Sequence, residues 1–369
     1  MFLNKLTLTN FKNYTEASLS FSDKLNCFIG DNGVGKTNIL DAIHYLSFCK
    51  SYFNSIDTQN ILHDESFFSI HGFYNKNGNK TDKISCVQKR GHRKQFKLNN
   101  KEYDRLADHI GLFPLVMTSP SDINLIHGGS DERRKYLDSV ISQFDKLYLD
   151  DLINYNKILD QRNSLLRSFA ENHSFDKTSL AIWDEQMIRL GNTIHKKREV
   201  FFKELNPIFQ QYFETISGGR EKVSLIYDSQ LFQGDFPELL DTALNKDRIM
   251  RFSTVGIHKD DLKFNIGDYP IKKFGSQGQQ KSFLIAIKLA QFEYTKKMKG
   301  FKPVLLFDDI FDKLDDFRVK HLIELVGNNN FGQVFITDTQ KERIARIFTT
   351  VDVDHKIFNI KDGVVEEVN

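Results

Sequence analysis

Residues 30–37 have the types and the spacing needed to hold the phosphates of a nucleotide. They match the pattern G-x-x-x-x-G-K-[ST] in full and read Gly30-Asp31-Asn32-Gly33-Val34-Gly35-Lys36-Thr37. Glycines allow the backbone to turn its amides toward phosphate oxygens, and the helix expected after the loop adds its positive amino-terminal end. Lys36 would neutralise the β- and γ-phosphates, and the Thr37 hydroxyl would bind Mg²⁺. An apolar strand pattern before the loop and a helical pattern after it complete the context, so the sequence predicts a nucleoside triphosphate site.

A phosphate loop also needs an acidic residue at the end of a neighbouring strand to hold the metal. The run 304–307 is typical of a buried parallel strand, and Asp308 and Asp309 follow it directly. We expect Asp308 to bind Mg²⁺, directly or through water, and Asp309 to polarise the attacking water. The alternative is that two acids at a strand end form a solvated turn. Because Lys36 and Asp308 are 272 positions apart, the nucleotide domain must be assembled from both ends of the chain.

The segment Ser276-Gln277-Gly278-Gln279 is a third candidate, because it comes directly before a long predicted helix. It offers a hydroxyl from Ser276, backbone amides from Gly278 and Gln279, and a helix amino terminus, all of which suit a γ-phosphate. The alternative is that Ser276 only caps the helix, which stabilises it by about 1 kcal/mol. Taken alone, the segment favours the capping role.

A basic segment lies between Asn75 and Leu98. Its eight cations, opposed only by Asp82, are Lys76, Lys80, Lys83, Lys89, Arg90, Arg93, Lys94 and Lys97. Placed on two hairpin turns, they would contact a phosphate backbone without reading bases. We expect DNA contacts from Lys76, Lys80, Lys89, Arg90, Arg93 and Lys94. The alternative is a solvated sheet edge that lysines protect from aggregation. Aromatic residues do not alternate with these cations, so we expect binding that is independent of sequence.

Hydrophobic periodicity indicates an α/β core that is split by a helical insertion. The chain has 369 residues, enough for two domains or for one large divided domain. We expect an ATP-binding α/β lobe from residues 1–120 and 300–369, and a second lobe from residues 121–299 that includes the segment 276–279. Residues 131–216 predict two helices of roughly 40 residues each, which would form a hairpin arm of about 60 Å. The spacing does not decide between a protruding arm and an ordinary packed subdomain.

Shorter patterns complete this prediction. A helix is expected at 279–298, and a short helix is expected between the last core strand and a terminal hairpin around Asp362-Gly363. Strand patterns occur near residues 3–8, 25–29, 68–74, 84–98, 223–227, 262–266, 304–307 and 334–337.

Composition and charge exclude several classes of protein. Apolar residues make up 40% of the chain and charged residues 27%, which is typical of a globular protein with a real core. The longest apolar run, Phe283–Ile287, is far too short to span a bilayer. The first residues do not read as a secretion signal, and three cysteines without a C-x-x-C pair fit a reducing compartment. We therefore expect a soluble, cytoplasmic protein, and the formal net charge of +2 means that a polyanion would need a local patch.

The three motifs together resemble the ABC-type ATPases, and the closer likeness is to the RecF family of DNA replication and repair proteins. The resemblance covers nearly the whole chain and depends on the order and spacing of several stretches. These are Leu6–Tyr14, Ser119–Asp122, Arg133–Asp138, Gly256–Leu262 and Gly278–Lys281.

This resemblance implies an ABC-type head that closes as a homodimer over two ATP molecules, with Ser276, Gly278 and Gln279 reaching the partner's ATP. It also implies an ATP-dependent protein that binds double- and single-stranded DNA and works with RecO and RecR to help load RecA at single-strand gaps. Three departures from the wider ATPase pattern matter here. The signature reads Ser-Gln-Gly-Gln, Asp309 stands where many ABC enzymes have glutamate, and Thr337-Asp338 replaces the usual switch histidine. We therefore expect a slow ATPase used as a switch.

Three other functions use similar motifs. The nucleotide-binding subunit of a membrane transporter is the main alternative, although it would normally lack the inserted arm. A chromosome-organising head would need a much longer coiled coil than residues 131–216 can form. A nuclease-linked ATPase would need a His/Asp metal cluster, which the sequence does not offer.

Overall fold

The computed structural model describes residues 1–76, 80–219, 221–312, 314–327, 331–342 and 354–368. The chain forms two compact units. Unit 1 contains residues 1–122, 211–220 and 276–369, and unit 2 contains residues 123–210 and 221–275. Unit 1 is therefore built from both ends of the chain, as the separation of Lys36 and Asp308 requires.

A mostly parallel sheet forms the centre of unit 1. Its strands lie in the spatial order β15 (Val364–Val368), β14 (His355–Lys361), β3 (Leu25–Ile29), β13 (Val334–Asp338), β12 (Val304–Phe307) and β8 (Leu115–Thr118). All neighbours are parallel except the hairpin of β14 and β15. The apolar runs of β3, β12 and β13 predicted these strands correctly. Strand β8 was not predicted, because its four buried residues have no periodicity that separates a strand from a buried helix.

A second sheet of unit 1 is antiparallel. Its spatial order is β2 (Tyr14–Ser20), β1 (Phe2–Phe11), β4 (Phe67–Asn75), β5 (Thr81–Lys89), β6 (Gln95–Leu98) and β7 (Lys101–Glu102). Alternation predicts one buried face, and Leu3, Leu6 and Leu8 are accordingly in the core. Helix α1 (Lys36–Phe48) contacts strands of both sheets. Its apolar residues share one core with β1, β3 and β12.

Two more helices of unit 1 are α8 (Gln277–Lys299) and α9 (Asp316–Gly327). Helix α8 packs on β8, and its Lys288 donates a hydrogen bond of 2.8 Å to the Met117 carbonyl and pairs with Asp122 at 2.9 Å. These contacts place α8 in unit 1, whereas the boundary predicted from the sequence put residues 276–299 in the second lobe. The predicted short helix after β13 lies mostly outside the described residues.

Unit 2 combines helices with a small antiparallel sheet. The sheet contains β9 (Val223–Asp228), β10 (Asp261–Ile266) and β11 (Tyr269–Pro270). The helices are α2 (Ile123–His127), α3 (Ser130–Ser142), α4 (Lys146–Glu171), α6 (Phe236–Met250), α7 (Ile271–Phe274) and all but the last turns of α5 (Lys177–Ser217).

The predicted arm differs from the structure in its first half. A single helix of roughly 40 residues was expected, but α3 has 13 residues and α4 has 26. The chain breaks at Asp145, whose carboxylate caps α4 by accepting a hydrogen bond of 2.8 Å from the Tyr148 amide. Helix α4 also packs against α6. Its buried Arg162 contacts Asp184 at 2.6 Å and Asp247 at 2.7 Å. The hairpin is thus packed within unit 2 along this face.

In the part of the chain that the structure describes, no helix is long and apolar enough to cross a membrane.

Candidate nucleotide site and basic turns

The candidate nucleotide site lies at one edge of the parallel sheet. In the register of β3, β13 and β12, Phe28 pairs with Thr337 and Phe307 pairs with Ile336. Because parallel strands end at the same edge, the loop after β3, the end of β13 and the acids after β12 come together there.

The phosphate loop has a backbone that only glycine adopts readily. Gly30, Gly33 and Gly35 have φ values of 149°, 84° and 115°. A Cβ atom on Gly30 would lie 2.4 Å from the Ile360 carbonyl oxygen, so a side chain cannot be accommodated there. The glycines of the motif are therefore required by this fold as well as by the approach of a phosphate.

Two residues at the junction of β1 and β2 bond to the loop, one in the turn and one at the start of β2. The Asn13 amide donates a hydrogen bond of 2.9 Å to the Val34 carbonyl, and the Tyr14 hydroxyl donates one of 3.0 Å to the Gly35 carbonyl. Sequence reasoning did not assign a role in the site to either residue. The only signal was their place in the stretch Leu6–Tyr14.

Lys36 is almost fully buried inside the loop. Its side chain donates hydrogen bonds of 2.8 Å to the carbonyl oxygens of Gly30 and Asp31. An ammonium group has three donors, so one remains for a phosphate oxygen. The loop itself thus holds the charge in place before any nucleotide binds.

Thr37 and Asp308 meet as the motifs predicted. The Thr37 hydroxyl lies 2.9 and 3.1 Å from the two carboxylate oxygens of Asp308, and the Thr337 hydroxyl donates a further bond of 2.8 Å. Burial raises the pKa of Asp308, whereas the bonds from Thr337 and Thr37 lower it. A hydroxyl beside a buried carboxylate is an oxygen donor set that suits Mg²⁺, and the cation would offset the cost of burying the charge.

Among the described residues, no group of three or more His, Cys, Asp and Glu is arranged to hold a metal.

Asp309 is half-buried and has a left-handed backbone with φ of 45°. Its amide donates a hydrogen bond of 2.9 Å to the Thr337 hydroxyl, and its carbonyl accepts one of 3.0 Å from Lys281. Burial raises the pKa of Asp309, and the Lys36 ammonium opposes that rise. Thr337 therefore joins both acids, a role that the sequence did not indicate beyond the absence of a switch histidine.

The segment at the start of α8 has the geometry of a helix cap. The Ser276 hydroxyl accepts a hydrogen bond of 3.2 Å from the Gln279 amide, and the Gln279 side chain accepts one of 2.7 Å from the Ser276 amide. This reciprocal pair is a capping box. Ser276 is also exposed, and Gly278 is partly exposed. The capping role is therefore real, and a second role toward a partner's nucleotide stays a prediction.

Comparisons with known proteins agree with this geometry. A family model described as the RecF/RecN/SMC N terminal domain matches residues 2–364. A protein of Flavobacterium johnsoniae named DNA replication and repair protein RecF is 53% identical, over 98% of this chain and 100% of its own. The chain belongs to the RecF family.

Solved structures share the RecF fold. One described as the recombination mediator protein RecF-ATP in the RecFOR pathway matches with a TM-score of 0.88 at 32% identity, over 100% of this chain and 98% of that chain. An Smc head bound to the C-winged helix domain of ScpA matches with a TM-score of 0.58 at 19% identity, over 100% and 98% of the two chains. This second likeness concerns the fold alone. The expected ABC-type ATPase head, with an inserted and mainly helical second lobe, is thus confirmed.

In unit 2 of this RecF-family chain, two of the motifs that carried the resemblance bind each other. Arg133 contacts both carboxylate oxygens of Asp261, at 2.5 and 2.9 Å. Arg134 donates to the Asp260 carbonyl at 2.7 Å, and the buried Arg198 donates to the Asp260 carboxylate at 2.6 Å. These pairs join α3 and α5 to the start of β10, so the motifs hold unit 2 together.

The predicted DNA contacts are divided between two ends of the antiparallel sheet. Lys76 and Lys80 lie at the turn between β4 and β5, and the other four belong to the turn between β5 and β6. Strand β5 has nine residues, so the two turns are about 27 Å apart. Residues 77–79 of the first turn lie outside the described residues. The sequence predicted both turns but not the distance between them.

The second turn carries the exposed cations Lys89, Arg90 and Arg93. Arg90 and Arg93 each donate one hydrogen bond to a backbone carbonyl, of Glu65 at 3.1 Å and of Asp104 at 3.0 Å. These bonds fix the guanidinium groups and do not neutralise them. The three residues, which we call the basic turn, fit the predicted role of contacting phosphates.

Lys94 does not fit that role. Its side chain is only 9% exposed, and its ammonium group bonds to the Asp57 carboxylate at 2.7 Å, the Cys49 carbonyl at 2.5 Å and the Tyr45 hydroxyl at 3.1 Å. The prediction counted charges in the sequence, and burial removes this one from the surface. Lys76 is also partly engaged, because it pairs with Asp82 at 3.0 Å.

Proposed function

We propose that this chain binds ATP with Mg²⁺ at the edge of the parallel sheet and acts as an ATP-dependent DNA-binding protein of recombinational repair. The observation that carries the proposal is the contact between Thr37 and Asp308, which brings together the two halves of a nucleotide site from opposite ends of the chain. The RecF name of its relatives supports DNA as the second ligand, whereas neither the relatives nor the fold comparison favours the transporter alternative.

Each group of site residues has its own role in binding ATP. Backbone amides of residues 30–35 and the Lys36 ammonium bind the phosphates, while Thr37 and Asp308 hold the cation. Mg²⁺, when bound, supplies positive charge to the β- and γ-phosphates. Asp309 orients the attacking water. We expect slow hydrolysis, because an aspartate at this position is one methylene shorter than the usual glutamate.

ATP would also close a homodimer. Ser276, Gly278 and Gln279 of one protomer would then face the γ-phosphate of its partner, and their exposure at the start of α8 leaves them accessible for this. A clamp of this kind, working in the cytoplasm with RecR and RecO, would help direct RecA to single-strand gaps. The basic turn would hold the double- or single-stranded DNA beside the gap through its phosphates.

The variant Lys36→Ala tests the nucleotide site. It should weaken Mg-ATP binding by roughly 10- to 100-fold, because a charge-assisted hydrogen bond contributes about 1.5–3 kcal/mol. Titration with a fluorescent ATP analogue measures this, and Lys50→Ala, at an exposed lysine after α1, is the matched control. A folded Lys36→Ala protein with the affinity of the parent would disprove the assignment.

A further inference from the structure

Two aromatic side chains are exposed next to each other on unit 2. Tyr269 is 59% exposed and Phe274 is 61% exposed. Their ring centroids are 4.8 Å apart, with the planes tilted by 44°. Single exposed apolar side chains are common, but two large rings that touch each other and still face water form a small contiguous surface. We call Tyr269 and Phe274 the aromatic pair.

The backbone under the aromatic pair is firmly held. Tyr269 pairs with Ile266 in the hairpin of β10 and β11, and the Gly267 amide at the hairpin turn donates a hydrogen bond of 2.8 Å to the Lys222 carbonyl. Ile271, between the two rings in sequence, is fully buried and anchors α7. The rings are therefore presented by a fixed backbone, which lowers the entropy lost when they bind a ligand.

Three exposed lysines are neighbours of the pair along the chain or at the hairpin turn. Lys272 and Lys273 are exposed on α7, and Lys222 is exposed beside the hairpin turn. The Lys272 ammonium bonds to the His127 carbonyl at 2.6 Å, which orients the group and leaves its charge intact. Asp268 is an exposed acid in the same hairpin and the partly exposed Glu221 precedes Lys222, so the three lysines outnumber the two acids.

We infer that the aromatic pair stacks an unpaired base of single-stranded DNA while these lysines hold the adjacent phosphates. Aromatic rings accept every base because each base has a π-face, and cations along the backbone supply the remaining affinity. A protein partner fits less well, because lysine is depleted at the centre of protein interfaces. Duplex DNA fits less well too, because its base faces are already stacked.

This inference rests on the proposed DNA function but uses a different surface from the basic turn. The basic turn would bind phosphates of any DNA, whereas the aromatic pair would distinguish strands that have free bases.

The double variant Tyr269→Leu/Phe274→Leu tests the pair. The ligands are an oligothymidine, an abasic deoxyribose-phosphate strand of equal length, and a blunt duplex. The parent should bind the oligothymidine more tightly than the abasic strand. The double variant should lose this preference and bind the oligothymidine roughly 10-fold or more weakly, with abasic and duplex binding unchanged. Phe232→Leu, at another exposed aromatic residue of unit 2, should change nothing.

A second variant, Lys272→Gln/Lys273→Gln, should weaken oligothymidine and abasic strand alike and reduce the salt dependence of both. Equal binding of oligothymidine and abasic strand by the parent would overturn the inference and leave the proposed function standing, provided that the duplex is bound. A preference for bases that survives in the double variant would also overturn it, as would a change in self-association without a change in DNA binding. If the parent binds none of the three ligands, the proposed DNA function itself fails.

Discussion

Asp308 is a buried carboxylate, and its burial lowers the stability of the protein when no cation is bound. The residue is 4% exposed, and its carboxylate receives hydrogen bonds from Thr37 and Thr337. The raised pKa shows that these bonds do not fully replace the water lost on burial. A bound cation would offset this cost, so the arrangement suits cation binding better than it suits the stability of the empty site.

Asp308→Asn should therefore stabilise the protein in the absence of nucleotide and Mg²⁺. A carboxyl whose pKa is raised in the folded state binds its proton more tightly there, so it costs little at acidic pH and costs most once the pH exceeds that raised pKa. The gain from Asp308→Asn should be small near the ordinary carboxyl pKa and grow as the pH rises to neutrality.

Urea denaturation across this pH range, with a chelator present, measures the effect. Asp23→Asn, at an exposed residue, is the control and should show no such growth. If Asp308→Asn is destabilising at neutral pH, the two hydroxyl bonds outweigh burial, and the site is not poised for a cation in the way described.

At the residue scale, proximity could be predicted where a motif specifies both partners, and could not be predicted where a contact depends on the fold. The pairing of Thr37 with Asp308 followed from the motifs. Asn13 and Thr337 could not be found this way, because their roles depend on strand register and on a turn packed against the loop. Lys94 was placed wrongly, because a count of charges says nothing about burial.

At the scale of elements, the turn between β5 and β6 separates two kinds of cation within a few positions. Changing Lys89, Arg90 and Arg93 together to glutamine should weaken DNA binding. It should also reduce the slope of log K against log salt concentration, by up to about 0.9 for each phosphate that the protein no longer neutralises. Binding measured at several salt concentrations gives that slope. An unchanged slope would mean that the turn is a solvated sheet edge and does not contact DNA.

Lys94→Gln is the matched comparison, and it should change the stability of the protein rather than its DNA binding. The change leaves the partly buried Asp57 without its cation, so we expect a loss of stability of roughly 1–3 kcal/mol with little change in the salt slope. Thermal or urea unfolding measures the first effect, and the same DNA titration measures the second. A large change in slope from Lys94→Gln alone would show that its ammonium does reach DNA.

The capping box of α8 allows the two roles of Ser276 to be separated. Aspartate is a good amino-terminal cap, so Ser276→Asp should keep the stability of the parent. Its negative charge would face the partner's γ-phosphate, so ATP-dependent dimerisation should be lost while ATP binding by the monomer persists. Ser276→Arg should block closure by its bulk.

Sedimentation with and without ATP tests these variants, and Ser276→Ala should cost about 1 kcal/mol through loss of the cap. A dimer that forms normally in Ser276→Asp and Ser276→Arg would mean that the segment caps the helix and does nothing more.

Elements were predictable where their pattern is periodic. The alternation of β1 and the apolar run of β12 were sufficient to place both strands. Strand β8 was missed because a buried run of four residues has no distinguishing period. The first arm helix was predicted too long, because α3 and α4 share one apolar spacing and only the cap at Asp145 ends it.

At the scale of the whole molecule, the candidate nucleotide site joins the two ends of the chain, and its two neighbouring acids are bonded in different ways. Thr337 bonds to the side chain of Asp308 but to the backbone amide of Asp309. Asp309→Asn therefore leaves these bonds in place, and asparagine tolerates the left-handed backbone found there. The variant removes a charge without disturbing the loop, which makes it a clean test of chemistry.

Asp309→Asn should retain ATP binding and slow hydrolysis by about 100-fold or more, the usual contribution of a positioned base. In the proposed homodimer, opening would depend on losing the γ-phosphate that bridges both heads, so this variant should form a longer-lived ATP dimer on DNA than the parent. Asp308→Ala should instead lose Mg-dependent closure. Dimer lifetime on gapped DNA, followed after dilution of ATP, separates the two, because one variant should stay closed and the other should never close. Equal loss of the ATP dimer in both would show that the roles of Asp308 and Asp309 are assigned wrongly.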